Sequence, residues 1–324
     1  MKKKTIIIIT IATIILLFAA TLLTQVFTNN KLPNETGYIK VHFCPQENCE
    51  TILANTLNEA EHTINCAFYD FNLKEPIKLL KEKDVQTQII IDRHNFKKVK
   101  NNQFTIEADN PALMHNKFCI IDKKIILAGS MNPTTNGATK NNNNLIIINS
   151  TYLAKNYQNE FNEMKKGYYG RGKQTKHTKI TFNNKTIENY FCPEDNCEEK
   201  TITFLNSAKE SIQFMTFSFT SGNIANTLKQ KQEEGIKVQG LMETRRLNMQ
   251  YNQYKNLNSI NITPDTNPHI MHHKVFIVDN KAVLTGSYNP TKAGNTKNDE
   301  NILIIHDKAI TTKFVEEFNT QTFK

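Results

Sequence analysis

The string His115-Asn116-Lys117, Asp122, Gly129-Ser130-Met131-Asn132 returns later in the chain, with the same internal spacing, as His272-His273-Lys274, Asp279 and Gly286-Ser287-Tyr288-Asn289. Two copies of H-x-K-x4-D-x6-G-S-x-N, each led by Met and each running through an apolar strand-like segment, constrain the chain to fold as two versions of one half-site. The duplication is lobe-sized. Phe43-Cys44-Pro45-Gln46-Glu47-Asn48-Cys49-Glu50 matches Phe191-Cys192-Pro193-Glu194-Asp195-Asn196-Cys197-Glu198.

His and Lys two residues apart on an extended segment project from the same face, because strand side chains alternate with period two. A cationic Lys beside an imidazole is poor company for a metal but suits a phosphate oxyanion. The Gly-Ser-x-Asn turns add hydroxyl and amide groups, so Ser130, Asn132, Ser287 and Asn289 are candidate phosphate-binding residues. Facing half-sites would supply His115 with Lys117 and His272 with Lys274. Two imidazoles can serve as nucleophile and general acid for phosphodiester cleavage with no metal and no cofactor. Asp122 and Asp279, each ending an apolar strand, read as structural turn carboxylates.

Helical and strand signals alternate in both copies, which argues for α/β lobes. Residues 31–164 form the first lobe and 181–324 the second. Residues 165–180, rich in Gly, Tyr and basic side chains, form the linker.

The paired strings resemble the H-x-K-x4-D motifs of the phospholipase D superfamily, and the resemblance covers nearly all of the chain after its first thirty residues. It implies two tandem phospholipase D-like α/β lobes related by a pseudo-two-fold, with the active site at their interface. It also implies one His that forms a covalent phosphohistidine and another that protonates the leaving group and then activates water. In such enzymes the downstream acidic residue of one lobe can reach the His of the other. Asn141-Asn142-Asn143-Asn144 aligns with Asn298-Asp299-Glu300-Asn301, so this resemblance pairs Glu300 with His115 and leaves His272 beside Asn143. A carboxylate favours imidazolium and orients a nucleophile that becomes a cationic phosphohistidine, whereas an amide leaves its His a readier proton donor. His115 is therefore expected as nucleophile and His272 as acid and then base.

Met1-Lys2-Lys3-Lys4 precedes an apolar run from Ile6 to Phe27. Residues 1–30 therefore read as a transmembrane helix that anchors the catalytic lobes outside the cytoplasm, with secretion after signal cleavage as the alternative. Cys44 with Cys49 and Cys192 with Cys197 are expected as two short-loop disulfides, the alternative being a zinc site that bridges the lobes. Cys66 and Cys119, in apolar runs, are expected as buried small hydrophobes. With 40 Lys plus Arg against 31 Asp plus Glu, the chain carries a net charge of +9, which favours a polyanionic partner. There is no Trp, no amphipathic docking helix stands out, and the short lobes leave little room for a lipid-binding mouth. The expected function is thus an extracytoplasmic nuclease acting as a monomer, since both half-sites lie in one chain. The alternatives are a phospholipase D acting on glycerophospholipid head groups and a nucleic-acid-binding protein with a retired active site.

Overall fold

The computed structural model describes residues 32–322, and the chain from Glu35 onward forms one compact unit. The apolar run read as a transmembrane helix lies outside the described residues. Among the described residues no helix is long and apolar enough to cross a membrane.

The first lobe contains seven strands: β1 (Ile39–Cys44), β2 (Thr63–Phe68), β3 (Gln86–Asp92), β4 (Thr105–Ala108), β5 (Lys117–Ile121), β6 (Ile125–Gly129) and β7 (Asn143–Asn149). Its longer helices are α1 (Cys49–Asn58), α2 (Lys74–Glu82) and α3 (Thr151–Lys165). The sheet order is β1-β7-β6-β5-β2-β3-β4. β2, β3 and β4 pair in parallel through helical or looped crossovers, while β5, β6, β7 and β1 pair antiparallel.

The second lobe repeats this plan. After β8 (Lys179–Phe182) come β9 (Lys185–Cys192), β10 (Ser211–Thr216), β11 (Lys237–Met242), β12 (Asn261–Pro264), β13 (Lys274–Val278), β14 (Ala282–Gly286) and β15 (Glu300–Ile305). They alternate with α4 (Cys197–Asn206), α5 (Gly222–Glu233) and α6 (Lys308–Thr322). The order β9-β15-β14-β13-β10-β11-β12 is that of the first lobe, and β8 and the two-residue strand Asn34–Glu35 extend the β9 edge. Residues 166–178, between α3 and β8, have no helix or strand.

Three apolar clusters explain the layering. One lies under α1 and α2 of the first lobe and includes Leu53, Leu57, Leu80 and Ile91. Another lies under α4 and α5 of the second and includes Leu205, Ile224, Leu228 and Met242. The third is shared by both lobes and runs through α3 and α6. In it the Tyr157 ring of α3 packs edge-on against Phe118 of β5 and Phe191 of β9, with ring centres 4.9 and 5.0 Å apart, and Phe314 of α6 meets Phe43 of β1 at 5.2 Å. A continuous core through the boundary fixes one sheet against the other, which a site assembled from both lobes requires.

The motif carboxylates act in turns. Asp122 and Lys123 have φ of 49° and 56°, and Asp279 and Asn280 have φ of 54° and 51°, the left-handed central pair of a tight turn closed by Lys124 N on the Ile121 carbonyl at 3.0 Å and by Lys281 N on the Val278 carbonyl at 2.9 Å. Asp122 accepts the backbone N–H groups of Glu61, His62 and Thr63 at 2.7–2.9 Å, and Asp279 those of Lys209, Glu210 and Ser211 at 2.7–3.1 Å. Burial opposes ionisation, but the three backbone donors outweigh it and hold both carboxyls below the ordinary range. Each Asp thereby ties the hairpin to the start of the preceding parallel strand.

Cys44–Cys49 and Cys192–Cys197 are disulfides, one at the entry to α1 and one at the entry to α4. The expectation for Cys66 and Cys119 needs correction, because they form a third disulfide. The register of β2 on β5 sets Cys66 opposite Cys119, with Cα atoms 4.0 Å apart. The same register in the second lobe sets Phe214 opposite Phe276, with ring centres 6.0 Å apart. Where one lobe fills the space with two rings, the other links two small side chains. Because this bridge spans 53 residues and the other two span 5 each, chain entropy predicts that Cys66→Ala with Cys119→Ala costs about 4 kcal/mol, roughly twice the loss of either short bridge. Urea denaturation checks this, alongside mass spectrometry of non-reduced digests. Free thiols at 66 and 119 would refute it.

Candidate active site

Each His-bearing motif segment crosses to the opposite lobe before entering its own sheet. His115 N donates to the Asp299 carbonyl at 3.0 Å, and Met114 forms a parallel bridge with Asp299. In mirror fashion His272 N donates to the Asn142 carbonyl at 2.9 Å, and Met271 bridges Asn142. The first residue of β15 is therefore beside His115, and the first residue of β7 is beside His272. These residues are Glu300 and Asn143.

His115 Nδ1 donates to Glu300 Oε2 at 2.8 Å. His272 Nδ1 donates to Asn143 Oδ1 at 2.9 Å and to the Ser130 carbonyl at 3.1 Å. The orientation of the Asn143 amide is set by its nitrogen, which donates to the Gly137 carbonyl at 2.9 Å. Since every partner of Nδ1 is an acceptor, that atom carries the hydrogen in both rings and Nε2 is left for chemistry. Lys117 Nζ donates to the His115 carbonyl at 2.5 Å and Lys274 Nζ to the His272 carbonyl at 2.7 Å. The period of the strand thus keeps each ammonium beside its own imidazole.

Electrostatics separates the two histidines. Burial pulls His115 below the ordinary imidazole value of 6.5, Glu300 opposes it, and Lys117 adds to it. His272 is pulled well below 6.5, by burial first and then by Lys274, Lys117 and His115. Burial also brings Lys117 down to about 7 against the attraction of Glu300 and Asp92, and it carries Lys274 well below its usual value with Lys117 adding to the effect. Four basic groups are buried together, and among the described residues Glu300 is the one carboxylate hydrogen-bonded to any of them, so an anionic phosphodiester would complement the site.

The Gly-Ser-x-Asn residues divide into two kinds. Ser130 Oγ donates to Asn143 Oδ1 at 3.1 Å and accepts from Asn144 N at 3.0 Å, while Ser287 Oγ accepts from Asn301 N at 2.9 Å. Both serines are fully buried and brace the strand that faces the opposite His. Gly129 and Gly286, at φ of 139° and 152°, leave no room for a Cβ against the Asn144 and Asn301 carbonyls. The side chains of Asn132 and Asn289 have no hydrogen-bond partner among the described residues, and Oδ1 of each is buried.

Several positioning residues escaped the sequence reading. Asp92 Oδ2 accepts from Met114 N at 2.9 Å, and Glu243 Oε2 accepts from Met271 N at 2.8 Å. Each holds the residue just before a motif His. Tyr69 and Phe217 lie against the two imidazoles, ring centres 5.1 and 4.8 Å apart, and beneath Lys117 and Lys274 at 5.4 and 5.0 Å. The second layer also crosses the boundary. Asn301 Nδ2 donates to Asn116 Oδ1 at 2.7 Å, and Asn144 Nδ2 donates to His273 Nδ1 at 3.2 Å while His273 Nε2 donates to Glu317 at 3.2 Å. The signal for Asp92 and Glu243 was available, since both are acidic residues at matching repeat positions, Asp92 the last residue of β3 and Glu243 the first after β11.

A family model described as "Cardiolipin synthase, PLD-like domain" matches residues 53–165 and 201–322, one segment in each lobe. A protein named phospholipase D from Rickettsia typhi is 28% identical over 176 residues, which are 53% of this chain and 84% of that one. A mitochondrial cardiolipin hydrolase from Homo sapiens is 30% identical over 116 residues, 35% of this chain and 46% of that one. The crystal structure of a phosphatidylserine synthase from Haemophilus influenzae matches with a TM-score of 0.66 over 87% of this chain and 85% of that chain. At 12% identity that is a likeness of fold alone.

Proposed function

The chain belongs to the phospholipase D superfamily and is a phosphodiesterase, and from that premise we propose that it is an extracytoplasmic nuclease. The observation that carries the choice of nucleic acid is the rim of the cleft. The segments that follow β3 and β11, just past the carboxylates that hold the two His-bearing loops, carry Arg93, Lys97, Lys98 and Lys100 in one lobe and Arg245 and Arg246 in the other; of these Lys98 meets Asp70 at 2.8 Å and Arg93 reaches Asp109 at 3.9 Å. Residues 93–100 and 244–255 contain no Asp or Glu. Tyr251, 74% exposed, and Met249, 50% exposed, stand on the second segment. Basic side chains with an exposed aromatic suit a phosphate backbone and its bases. Three disulfides fit an oxidising compartment, and the basic end and apolar run of residues 1–30 supply an anchor there.

In the proposed mechanism His115 Nε2 attacks phosphorus and the bond to the leaving oxygen breaks, while His272 gives that oxygen a proton. Water, deprotonated by His272, then displaces His115, leaving one phosphomonoester and one alcohol. Lys117, Lys274, Asn132 and Asn289 bind the non-bridging oxygens. The nucleophile works neutral and the acid works protonated, yet the acid has the lower pKa of the pair. The profile of kcat/KM against pH is therefore a bell with its top below 6.5, its basic limb reporting His115 and its acid limb His272. Glu300→Gln removes the influence that raises His115, so the basic limb moves to lower pH. A profile that climbs to a plateau above about pH 7.5 would contradict this reading.

The name of the Rickettsia typhi relative favours a second reading, hydrolysis or transfer of glycerophospholipid head groups. One experiment separates the two: incubation of the purified chain with plasmid DNA, RNA and labelled phospholipid vesicles in EDTA. Cleavage of nucleic acid with intact phospholipid is the expected result. Phospholipid turnover alone establishes the second reading, and activity that returns only with a divalent ion removes the mechanism.

A further inference from the structure

We propose that Arg246 forms a second phosphate subsite on the His272 side of the cleft, so that the preferred leaving fragment carries a phosphate of its own. The inference rests on the nuclease reading and specifies which end of the substrate is recognised. The two mouths of the cleft are built from equivalent turns but carry charge differently. Ile91 pairs with Phe68 at the end of β2, and Met242 pairs with Thr216 at the end of β10, so Asn95 stands in the first lobe where Arg246 stands in the second. Asn95 is buried, donates to the Tyr69 carbonyl at 2.8 Å and accepts from Lys98 Nζ at 2.7 Å; Lys98 in turn meets Asp70 at 2.8 Å. Lys98, the cation bonded to Asn95, is thereby already paired with a carboxylate.

At the other mouth Ser218 replaces Asp70 in the repeat. The Arg246 guanidinium lies 4.4 Å from the centre of the Phe217 ring, which is itself 4.8 Å from the His272 ring and 5.0 Å from Lys274 Nζ. The hydrogen bond that guanidinium makes runs from Nη1 to the thioether of Met249 at 3.2 Å, a weak acceptor. No carboxylate lies within ion-pair distance of it among the described residues. Neighbouring Arg245, by contrast, donates to the Pro268 carbonyl at 2.5 Å. Stacked on an aromatic face one ring away from the acid, and lacking an anionic partner, Arg246 presents the planar fork that phosphate takes bidentately. His272 protonates the leaving oxygen, so what meets Arg246 is the leaving fragment. In a polynucleotide that fragment carries the adjacent phosphate.

The test compares kcat/KM for three dinucleotides, TpT, pTpT and TpTp, with the products identifying which fragment leaves. We expect the substrate whose terminal phosphate sits on the leaving fragment to be cleaved about tenfold or more faster than TpT, mostly through KM, with the advantage shrinking as salt is raised. Arg246→Gln reduces that preference to under about twofold, and Arg246→Lys restores part of it. Equal rates in the unsubstituted enzyme, a preference for phosphate on the retained fragment, or a preference that survives Arg246→Gln would each overturn the subsite while nuclease activity stands. If no dinucleotide or longer nucleic acid is cleaved and phospholipid vesicles are, the nuclease reading falls and this inference falls with it.

Discussion

His115→Ala and His272→Ala each lower kcat on a natural phosphodiester by about 10⁴-fold or more, and the double substitution is no worse than either alone. The reason lies in how the site is closed. Each His is hydrogen-bonded by a residue of the other lobe, His115 by Glu300 and His272 by Asn143, so in the proposed mechanism the two rings serve one reaction and removing one leaves the other without a task. Steady-state kinetics on plasmid or RNA checks this. Losses that add would mean two independent sites. Glu300 is fully buried, with Oε1 already unpartnered. His115→Ala therefore leaves that carboxylate without a donor, a defect of about 3–5 kcal/mol. His115→Asn, which keeps an N–H toward Glu300, separates loss of chemistry from loss of fold.

The features legible from sequence are those that repeat at fixed spacing. The two His-Lys pairs, the hairpin Asp residues and the alternation of strands and helices all follow from short-range pattern, and the second lobe reproduces them. The juxtaposition of Glu300 with His115 is not local. It came from the resemblance to a family, and its physical basis is the pair of cross-lobe bridges Met114–Asp299 and Met271–Asn142. Strand register is where sequence reading ran out. Cys66 and Cys119 face each other because β2 and β5 are neighbours in one register. A shift of one residue would separate them, and nothing local in either strand states which register holds. The clue lay between the copies, since both cysteines replace phenylalanines that also form a pair. Tyr69 and Phe217 were missed for a related reason: each directly follows a β strand as one more aromatic residue, and only the sheet order places it against a motif imidazole.

The asymmetry between Glu300 and Asn143 yields the most specific expectation for the chemistry. With an aryl phosphodiester, whose leaving group departs without a proton, rapid quenching of His272→Ala should trap close to one phosphoryl group per chain on His115, because the covalent step no longer needs the acid while water attack still needs a base. Glu300 holds the proton on His115 Nδ1 and opposes the positive charge that Nε2 acquires when it bonds phosphorus. Glu300→Gln keeps a hydrogen-bonding group but loses that charge, so formation of the adduct slows by about 10- to 100-fold. Asn143 acts instead on His272. Asn143→Ala removes an acceptor that orients the ring, so with the aryl substrate it slows breakdown of the adduct more than its formation. Phosphopeptide mapping under conditions that preserve phosphohistidine reads all three variants. Phosphate on His272, with His115 unmodified, would exchange the roles of the two histidines and with them the roles of Glu300 and Asn143.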